Sequence, residues 1–354
     1  MLAASSAACA SWAEGPAFLP ESISVSELHK FIFDGLPVRG AIVRLTDSWQ
    51  EILQRRAGNK DTGAYPEAVS TLLGEMTAAG VLMQSNIKFN GALVFQVMGD
   101  GPVKLAVAEV QSDLSLRATA TVNGEVPPDA KLSQMVTVGG GGRCALTLDP
   151  TDRHPGPQPY QGVVPLHGDH HEKLERLSDV LQHYMLQSEQ LDTVLVLAAN
   201  SQVAAGLLIQ RMPLKGEGNL AQGLTHRENE DQIGHNEDYN RIAHLASSLT
   251  RDELLTLDVD TILRRLFWEE KLLRFEPQQG DAGPRFACSC SRERVVNMLR
   301  GLGVEEVESI LAERNEVEVG CEFCGQQYRF DAVDAAQIFV SSTVAQPPAP
   351  SGMQ

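Results

Sequence analysis

Two pairs of cysteines, Cys288-Ser-Cys290 and Cys321-Glu-Phe-Cys324, lie 30 residues apart in the last fifth of a 354-residue chain. No other feature limits the fold as tightly, because four thiolates can share one tetrahedral metal only if both segments turn beneath it. Thiolate is the preferred structural ligand of zinc, at about 2.3 Å from the metal. In the second pair, two intervening residues let the chain turn under the metal, and Gly325 lets the backbone close that turn with positive φ. Val317-Glu-Val before it and Gln327-Tyr-Arg-Phe after it alternate as the arms of a hairpin. The Cys-x-Cys half is flanked by Arg285, Arg292 and Arg294, which favour thiolate over thiol. Cys288, Cys290, Cys321 and Cys324 are therefore expected to bind one Zn2+ ion. Spacing alone leaves open whether such a site is a permanent structural crosslink or a regulated one. A unit this small draws much of its stability from its metal, on the order of 10 kcal/mol in comparable peptides. Oxidation that ejects zinc is then also an unfolding event.

The other two cysteines, Cys9 and Cys144, are isolated, which is not the even scatter of a secreted disulfide framework. They fit a reducing cytosol, with Cys144 a strand or core residue and Cys9 a bystander. Asp and Glu number 46 against 29 Lys and Arg, a net charge of -17. Such a surface repels phosphate backbones, so no nucleic-acid partner is expected. No apolar run reaches eighteen residues, so no membrane span is expected. The first residues are small and apolar but lack a basic start, and Glu14 and Pro16 interrupt them. They read as a disordered leader rather than a signal peptide, and the chain as cytoplasmic.

The chain divides into a leader over 1–22, a core domain over 23–220, a helical linker over 221–284, a zinc-binding domain over 285–340 and a disordered tail over 341–354. In the core, Ser26-Glu-Leu-His-Lys-Phe-Ile-Phe reads as a short helix or a strand, and Gly40-Ala-Ile-Val-Arg-Leu as a strand. Helical spacing covers Ser48 to Arg56 and Pro66 to Leu82. Strands are expected at Ile87-Lys-Phe, Gly91 to Gly99, Val103 to Ala108, Leu116 to Val122, Cys144 to Leu148 and Tyr160 to Leu166. A helix over Glu172–Glu189 and strands at Val194–Ala198 and Ala204–Met212 complete it. Asn90-Gly91 and Asp100-Gly101 carry hairpin turn chemistry. The expected fold is α+β, with a mixed, largely antiparallel core domain, a helical linker and a small zinc-binding domain. In the linker, the segment from His226 to Tyr239 is acidic, Thr250 and Glu253 form a capping box, and Leu254 to Trp268 carry a strong apolar face. Helices of this kind must dock on something to persist. Gly280 to Pro284 reads as a hinge.

Phe286-Ala-Cys-Ser-Cys-Ser-Arg-Glu-Arg294, Ser309-Ile-Leu-Ala-Glu313 and Cys321-Glu-Phe-Cys-Gly325 resemble the two zinc-binding halves of the redox-regulated heat-shock chaperonin family, the thirty-three-kilodalton class of oxidation-activated holdases. Val38-Arg-Gly40, Gly99-Asp-Gly-Pro102, Tyr160-Gln-Gly-Val-Val164, Ser188-Glu-Gln-Leu191 and Glu253-Leu-Leu-Thr-Leu257 resemble family segments upstream, in the right order. The resemblance implies a non-enzymatic chaperone that is inactive while reduced, with zinc on all four thiolates. Peroxide with heat, or hypochlorous acid, would form Cys288–Cys290 and Cys321–Cys324 disulfides and release the zinc. The linker would then unfold, the protein dimerise, and exposed apolar surface bind unfolded client proteins without ATP.

Other features point less far. Gly139 to Gly142 lacks the Lys-Ser/Thr of a phosphate loop and reads as a flexible hairpin. His167, His170 and His171 could bind metal but read as a solvated patch. No catalytic nucleophile and base can be assembled from sequence order. Two rivals remain at this point, a thiol oxidoreductase using Cys321 and Cys324, and a zinc-dependent nucleic-acid-binding module with a basic patch at Arg292, Arg294 and Arg300.

Overall fold

The computed structural model describes residues 25–59, 62–151, 158–212 and 236–343, with the backbone alone for 340–343. The leader over 1–22, the acidic run from His226 up to residue 235 and the residues past 343 lie outside them. In chain order the elements are β1 (Glu27–Phe33), β2 (Val38–Leu45), α1 (Asp47–Ala57), α2 (Glu67–Asn86), β3 (Gly91–Met98), β4 (Val103–Gln111), β5 (Ser115–Val122) and α3 (Leu132–Val136). Next come β6 (Arg143–Pro150), β7 (Tyr160–Pro165), α4 (Leu177–Gln187), β8 (Thr193–Ala199) and β9 (Ala204–Arg211). The remainder is α5 (Glu237–Ser247), α6 (Arg251–Thr256), α7 (Val259–Phe267), β10 (Leu272–Arg274), β11 (Gln278–Gln279), β12 (Arg285–Phe286), α8 (Arg292–Leu302), α9 (Val304–Arg314), β13 (Val317–Gly320), β14 (Gln327–Phe330) and α10 (Ala332–Thr343).

Two sheets carry the first part. One runs β10-β1-β2-β9-β8, with β11 also on β1, and the other β12-β5-β4-β3-β6-β7. Every pairing in them is antiparallel except β12 on β5, so the α+β, largely antiparallel fold read from the sequence is what forms. Between the sheets lies α2. It is buried on nearly every side, as an apolar helix with little amphipathic contrast must be. Gly74 is where it meets the first sheet, since a Cβ there would stand 2.5 Å from Ala199 Cβ.

The first sheet is buried on both faces. Leu28, Ala41, Val43, Ala204 and Leu208 face α2, whereas Phe31, Phe33, Val38, Ile42, Leu207 and Ile209 face a second apolar layer built from α5, α6 and α7. That is why β9 is buried at every position. These helices bring Tyr239, Ile242, Leu254, Ile262, Leu266 and Phe267 to this layer. Phe267 packs edge-on against Phe33 at a ring-centroid distance of 5.1 Å. Polar contacts fix the register of the docked helices. Arg44 donates to the carbonyls of Leu254, Leu255 and Leu257 at the end of α6, and Arg251 reaches Glu75 of α2 at 2.5 Å. The capping box expected at Thr250 and Glu253 is present, and Asp258 caps α7. Among the described residues no helix is long and apolar enough to cross a membrane.

The stretch at Ser26, read as helix or strand, is strand, and its alternation lets Leu28 and Phe31 face opposite layers. Several local expectations are corrected. Ile87-Lys-Phe is not a strand. The helix before it runs to Asn86, four residues beyond Leu82, and Ile87 caps it. The helix placed over Glu172–Glu189 starts only at Leu177, since residues 167–173 fold into a tight turn in which Gly168 donates to the Glu172 carbonyl at 2.9 Å. The glycines from Gly139 to Gly142 join α3 to β6 instead of turning a hairpin. They wrap the Asp100 carboxylate, which accepts from Val138 and Gly139 at 2.9 Å each. These donors hold the Asp100 carboxyl below its usual range. The Gly280 to Pro284 segment, read as a hinge, begins with a turn of 3-10 helix over Gly280–Ala282, and β10 and β11 on either side of Phe275 pair with β1.

Candidate metal centre

Cys288 and Cys290 lie on the loop between β12 and α8, whose first turn Ser291 caps. Cys321 and Cys324 lie on the turn between β13 and β14, the hairpin read from the alternating flanks. That turn closes as the chemistry of Gly325 requires. Its φ is +74°, its N–H donates to the Cys321 carbonyl at 2.8 Å, and Cys321 N–H donates to the Gln326 carbonyl at 2.9 Å. A small core beneath, formed by Val295, Leu299, Val307, Val317, Phe330, Ala335 and Ile338, is the only other support of the unit among the described residues apart from its contacts with the sheets.

The four sulfurs lie within 4.8 Å of one another, with Cys288 and Cys321 at 3.7 Å and Cys290 and Cys324 at 3.4 Å. A tetrahedron with metal–sulfur bonds of about 2.3 Å has edges of about 3.8 Å, so the donor set fits a single tetrahedral ion. All four are free thiols. Packing four thiolates this closely requires a cation. Burial pushes the Cys321 and Cys324 thiols up; the neighbouring cysteines add to this at Cys324, whereas at Cys321 the Cys324 N–H and thiol oppose it. Cys288 goes the other way. Burial opposes its ionisation, but the Cys290 N–H and thiol and the Arg117 guanidinium bring it down to about 7. The cluster could therefore hold a metal ion, and it is the one such group among the described residues.

The arginines flanking the first pair are not what favours its thiolate. Arg285 pairs with Asp113 at 2.5 Å, Arg292 with Asp334 at 2.8 Å, and Arg294 donates to the Ser289 hydroxyl at 2.7 Å. Arg117, on β5 of the core, donates to Cys288 Sγ at 3.7 Å, pairs with Glu109 at 2.7 Å and lies over the Phe323 ring at 4.3 Å. Tyr328 donates to Cys290 Sγ at 3.2 Å. Thr119 of the same strand donates to the Glu322 carbonyl at 3.1 Å, and the Arg55 guanidinium lies 4.7 Å from the Phe286 ring centre. The knuckle is thus seated on the second sheet. Nothing in the sequence marks Arg117, because its partners in the cysteine unit are 171 and 206 positions away. Only the alternation of β5, which turns Arg117 and Thr119 to one face, carries a trace of it.

His167, His170 and His171 do not form a metal group. The His167 and His171 rings lie tilted to each other with centroids 5.1 Å apart, and His170 and His171 are exposed. Cys144 is fully buried in β6, which pushes its thiol far up and leaves it inert. Cys9 lies outside the described residues.

Comparisons with known proteins agree in one direction. Residues 26–331 match the family profile described as Hsp33 protein. The 33 kDa chaperonin of Chromobacterium violaceum is 44% identical over 320 residues, covering 90% of this chain and 95% of that protein. That of Methylobacillus flagellatus is 41% identical over 318 residues, covering 90% and 95%. The crystal structure of the 33 kDa chaperonin of Thermotoga maritima superposes with a TM-score of 0.65 over 90% of this chain and 99% of that one, at 19% identity, which shows a shared fold.

Proposed function

This chain belongs to the Hsp33 protein family, and from that premise we propose that it is a redox-regulated holdase whose four cysteines hold zinc in the resting state. The observation that carries the reading is the sulfur cluster. Two segments 30 residues apart converge to tetrahedral edges of 3.4 and 3.7 Å, beside a linker docked on the first sheet. Zinc, when bound to Cys288, Cys290, Cys321 and Cys324, supplies a crosslink between those segments and a charge that four thiolates need.

The division we propose is a core over 23–220, a linker over 221–284 and a zinc-binding switch over 285–340, whose last helix runs on to Thr343. Oxidation removes two electrons from each pair of zinc-bound thiolates. Formation of each disulfide reduces one peroxide, with two protons from solvent, to two waters, or one hypochlorous acid, with one proton, to chloride and water. Following the family resemblance, the bonds are Cys288–Cys290 and Cys321–Cys324. In the resting geometry the short sulfur contacts run between the pairs, so this assignment requires each segment to turn inward once the crosslink is lost. A core of seven buried residues is too small to hold the unit without metal. Its seat on Arg117 and Thr119 goes with it, and so does the anchor at the end of the linker, where Ala287 N–H donates to the Leu116 carbonyl at 3.0 Å. Released linker uncovers Phe31, Phe33, Ile42, Leu207 and Ile209, an apolar sheet face suited to unfolded clients. The oxidised protein dimerises, acts in the cytoplasm and catalyses no reaction.

Peptide mapping of oxidised protein tests the assignment. Cys288–Cys290 and Cys321–Cys324 linkages, with one zinc released per chain, are expected. Cys288–Cys321 and Cys290–Cys324 linkages would refute the pairing.

A further inference from the structure

A second site lies on elements that carry none of the four clustered cysteines. A cavity of about 200 Å3 opens between the two sheets at the C-terminal end of α2. Its walls include Leu93, Leu146, Leu148 and Leu208, and the partly exposed Ile87 and Tyr160 line it nearest to solvent. Arg39 of β2 lines it as well. Its Nε donates to Gln210 Oε1 at 3.1 Å, Nη2 donates to the same oxygen, and Nη1 donates to the Asn86 carbonyl at 3.4 Å. Beside it, Lys30 Nζ donates to the Ser85 carbonyl at 2.7 Å.

Among the described residues neither cation has a carboxylate partner. Both reach the end of α2, whose own last turn carries no basic residue. A helix C-terminus offers the equivalent of about half a negative charge. Two cations there outweigh that half charge, in a chain of net charge -17. Burial makes both groups less basic than usual, the mark of cations held partly out of water. The apolar lining continues outward along one cross-strand row of the first sheet, in which Leu273, Ile32, Arg39 and Gln210 stand side by side. Leu273 is exposed. Glu189, the acidic group of the lining, accepts from the Tyr184 hydroxyl at 2.8 Å, so an anion entering the slot is directed to the Arg39 side.

We propose that this slot binds a slender apolar chain ending in a carboxylate, a medium-chain fatty acid, with the carboxylate on Arg39 and the chain between the sheets. The volume is below the ~300–1,000 Å3 of drug-sized sites, which excludes fused rings and two-chained lipids. A cationic head meets Arg39 and Lys30 with like charge, and a neutral one leaves their charge uncompensated.

Calorimetric titration of the full-length, reduced, zinc-loaded protein with octanoate, octanol and octylammonium tests this. One saturable site for octanoate is expected, with octanol and octylammonium at least about tenfold weaker, the worth of one charge-assisted hydrogen bond. Arg39→Gln lowers octanoate affinity by about tenfold and leaves octanol unchanged. Because Arg39 also caps α2, Ile87→Glu serves as a second variant. It sets a carboxylate beside the slot at a position already reached by water, and it weakens octanoate more than octanol. Absence of a saturable site overturns the proposal. So does octanol binding as tightly as octanoate, or octanoate affinity unchanged in both folded variants.

Discussion

Replacing Phe267 by alanine isolates the contact on which docking of the linker depends most. The side chain is 2% exposed. It meets Phe33 edge-on at 5.1 Å and Phe31 at 6.2 Å, so it is the plug of α7 in the layer that covers the first sheet. Removal of a buried phenylalanine costs about 3–5 kcal/mol. In the docked state that cost is incurred in full, while in the released state Phe267 lies in water and the loss is small. The equilibrium between docked and released linker therefore moves by nearly the whole amount. At about 1.4 kcal/mol per factor of ten, 3 kcal/mol is more than a hundredfold. A resting protein with about 1% of its linker released would then hold about half of it released. The assay is suppression of aggregation of a thermally unfolding client by reduced, zinc-loaded protein, with zinc content measured in the same sample. The expected result is chaperone activity without oxidant and with one zinc per chain. Trp268→Ala, at a neighbouring residue that is 74% exposed, leaves the protein inactive. If Phe267→Ala releases the linker to protease yet stays inactive with zinc bound, the sheet face beneath the linker is not the client surface.

Three further outcomes follow from contacts around that layer and the metal centre. Arg251→Ala strands the Glu75 carboxylate, whose side chain is 12% exposed. Because Arg251 is itself half in water, the cost is about 1–2 kcal/mol rather than the ~3–5 of a fully buried pair. Tryptic cleavage within 237–267 should quicken about tenfold, and Glu75→Gln in the same chain should restore part of the protection. Arg117→Ala removes the donor to Cys288, the partner of Glu109 and the platform under Phe323, so zinc release at a fixed peroxide dose should be several-fold faster, whereas Arg117→Lys recovers only the Glu109 pair. Glu253 and Asp258 are held below the usual carboxylate range, Glu253 by the Thr250 N–H and hydroxyl and Asp258 by the Thr261 hydroxyl and N–H. A depressed carboxylate contributes stability that is present above its unfolded value and lost as pH falls through the folded one. Helicity of α6 and α7 should therefore fray below about pH 4, and Glu253→Gln should flatten that dependence in circular dichroism.

Local chemistry was legible in the sequence wherever one short segment decides it. The capping box at Thr250 and Glu253, the positive φ of Gly325 and the hairpin arms around Cys321 and Cys324 all follow from neighbours within a few residues. Element ends were less so. Asn86 stays helical because Lys30 and Arg39, from distant strands, hold the last carbonyls of α2. The glycines at 139–142 were misread because Asp100, which they enclose, sits about forty positions upstream. The cysteines announced themselves by spacing, but what seats them did not. Arg55, Arg117 and Thr119 reach the cluster across 160 residues or more, and the arginines adjacent in sequence are engaged elsewhere. The apolar character of β2 and β9 showed strands without showing that one sheet is covered twice. That depends on where the linker helices dock.

The central claim is that oxidation of four thiolates is transmitted to the linker as loss of docking. Hydrogen exchange of residues 237–267, followed together with zinc release and client aggregation during a peroxide titration, tests it most directly. The account predicts that protection of α5, α6 and α7 collapses in step with zinc release, that aggregation is suppressed over the same range, and that reductant with zinc restores all three. Full zinc release with α5, α6 and α7 still protected while aggregation is suppressed would contradict it.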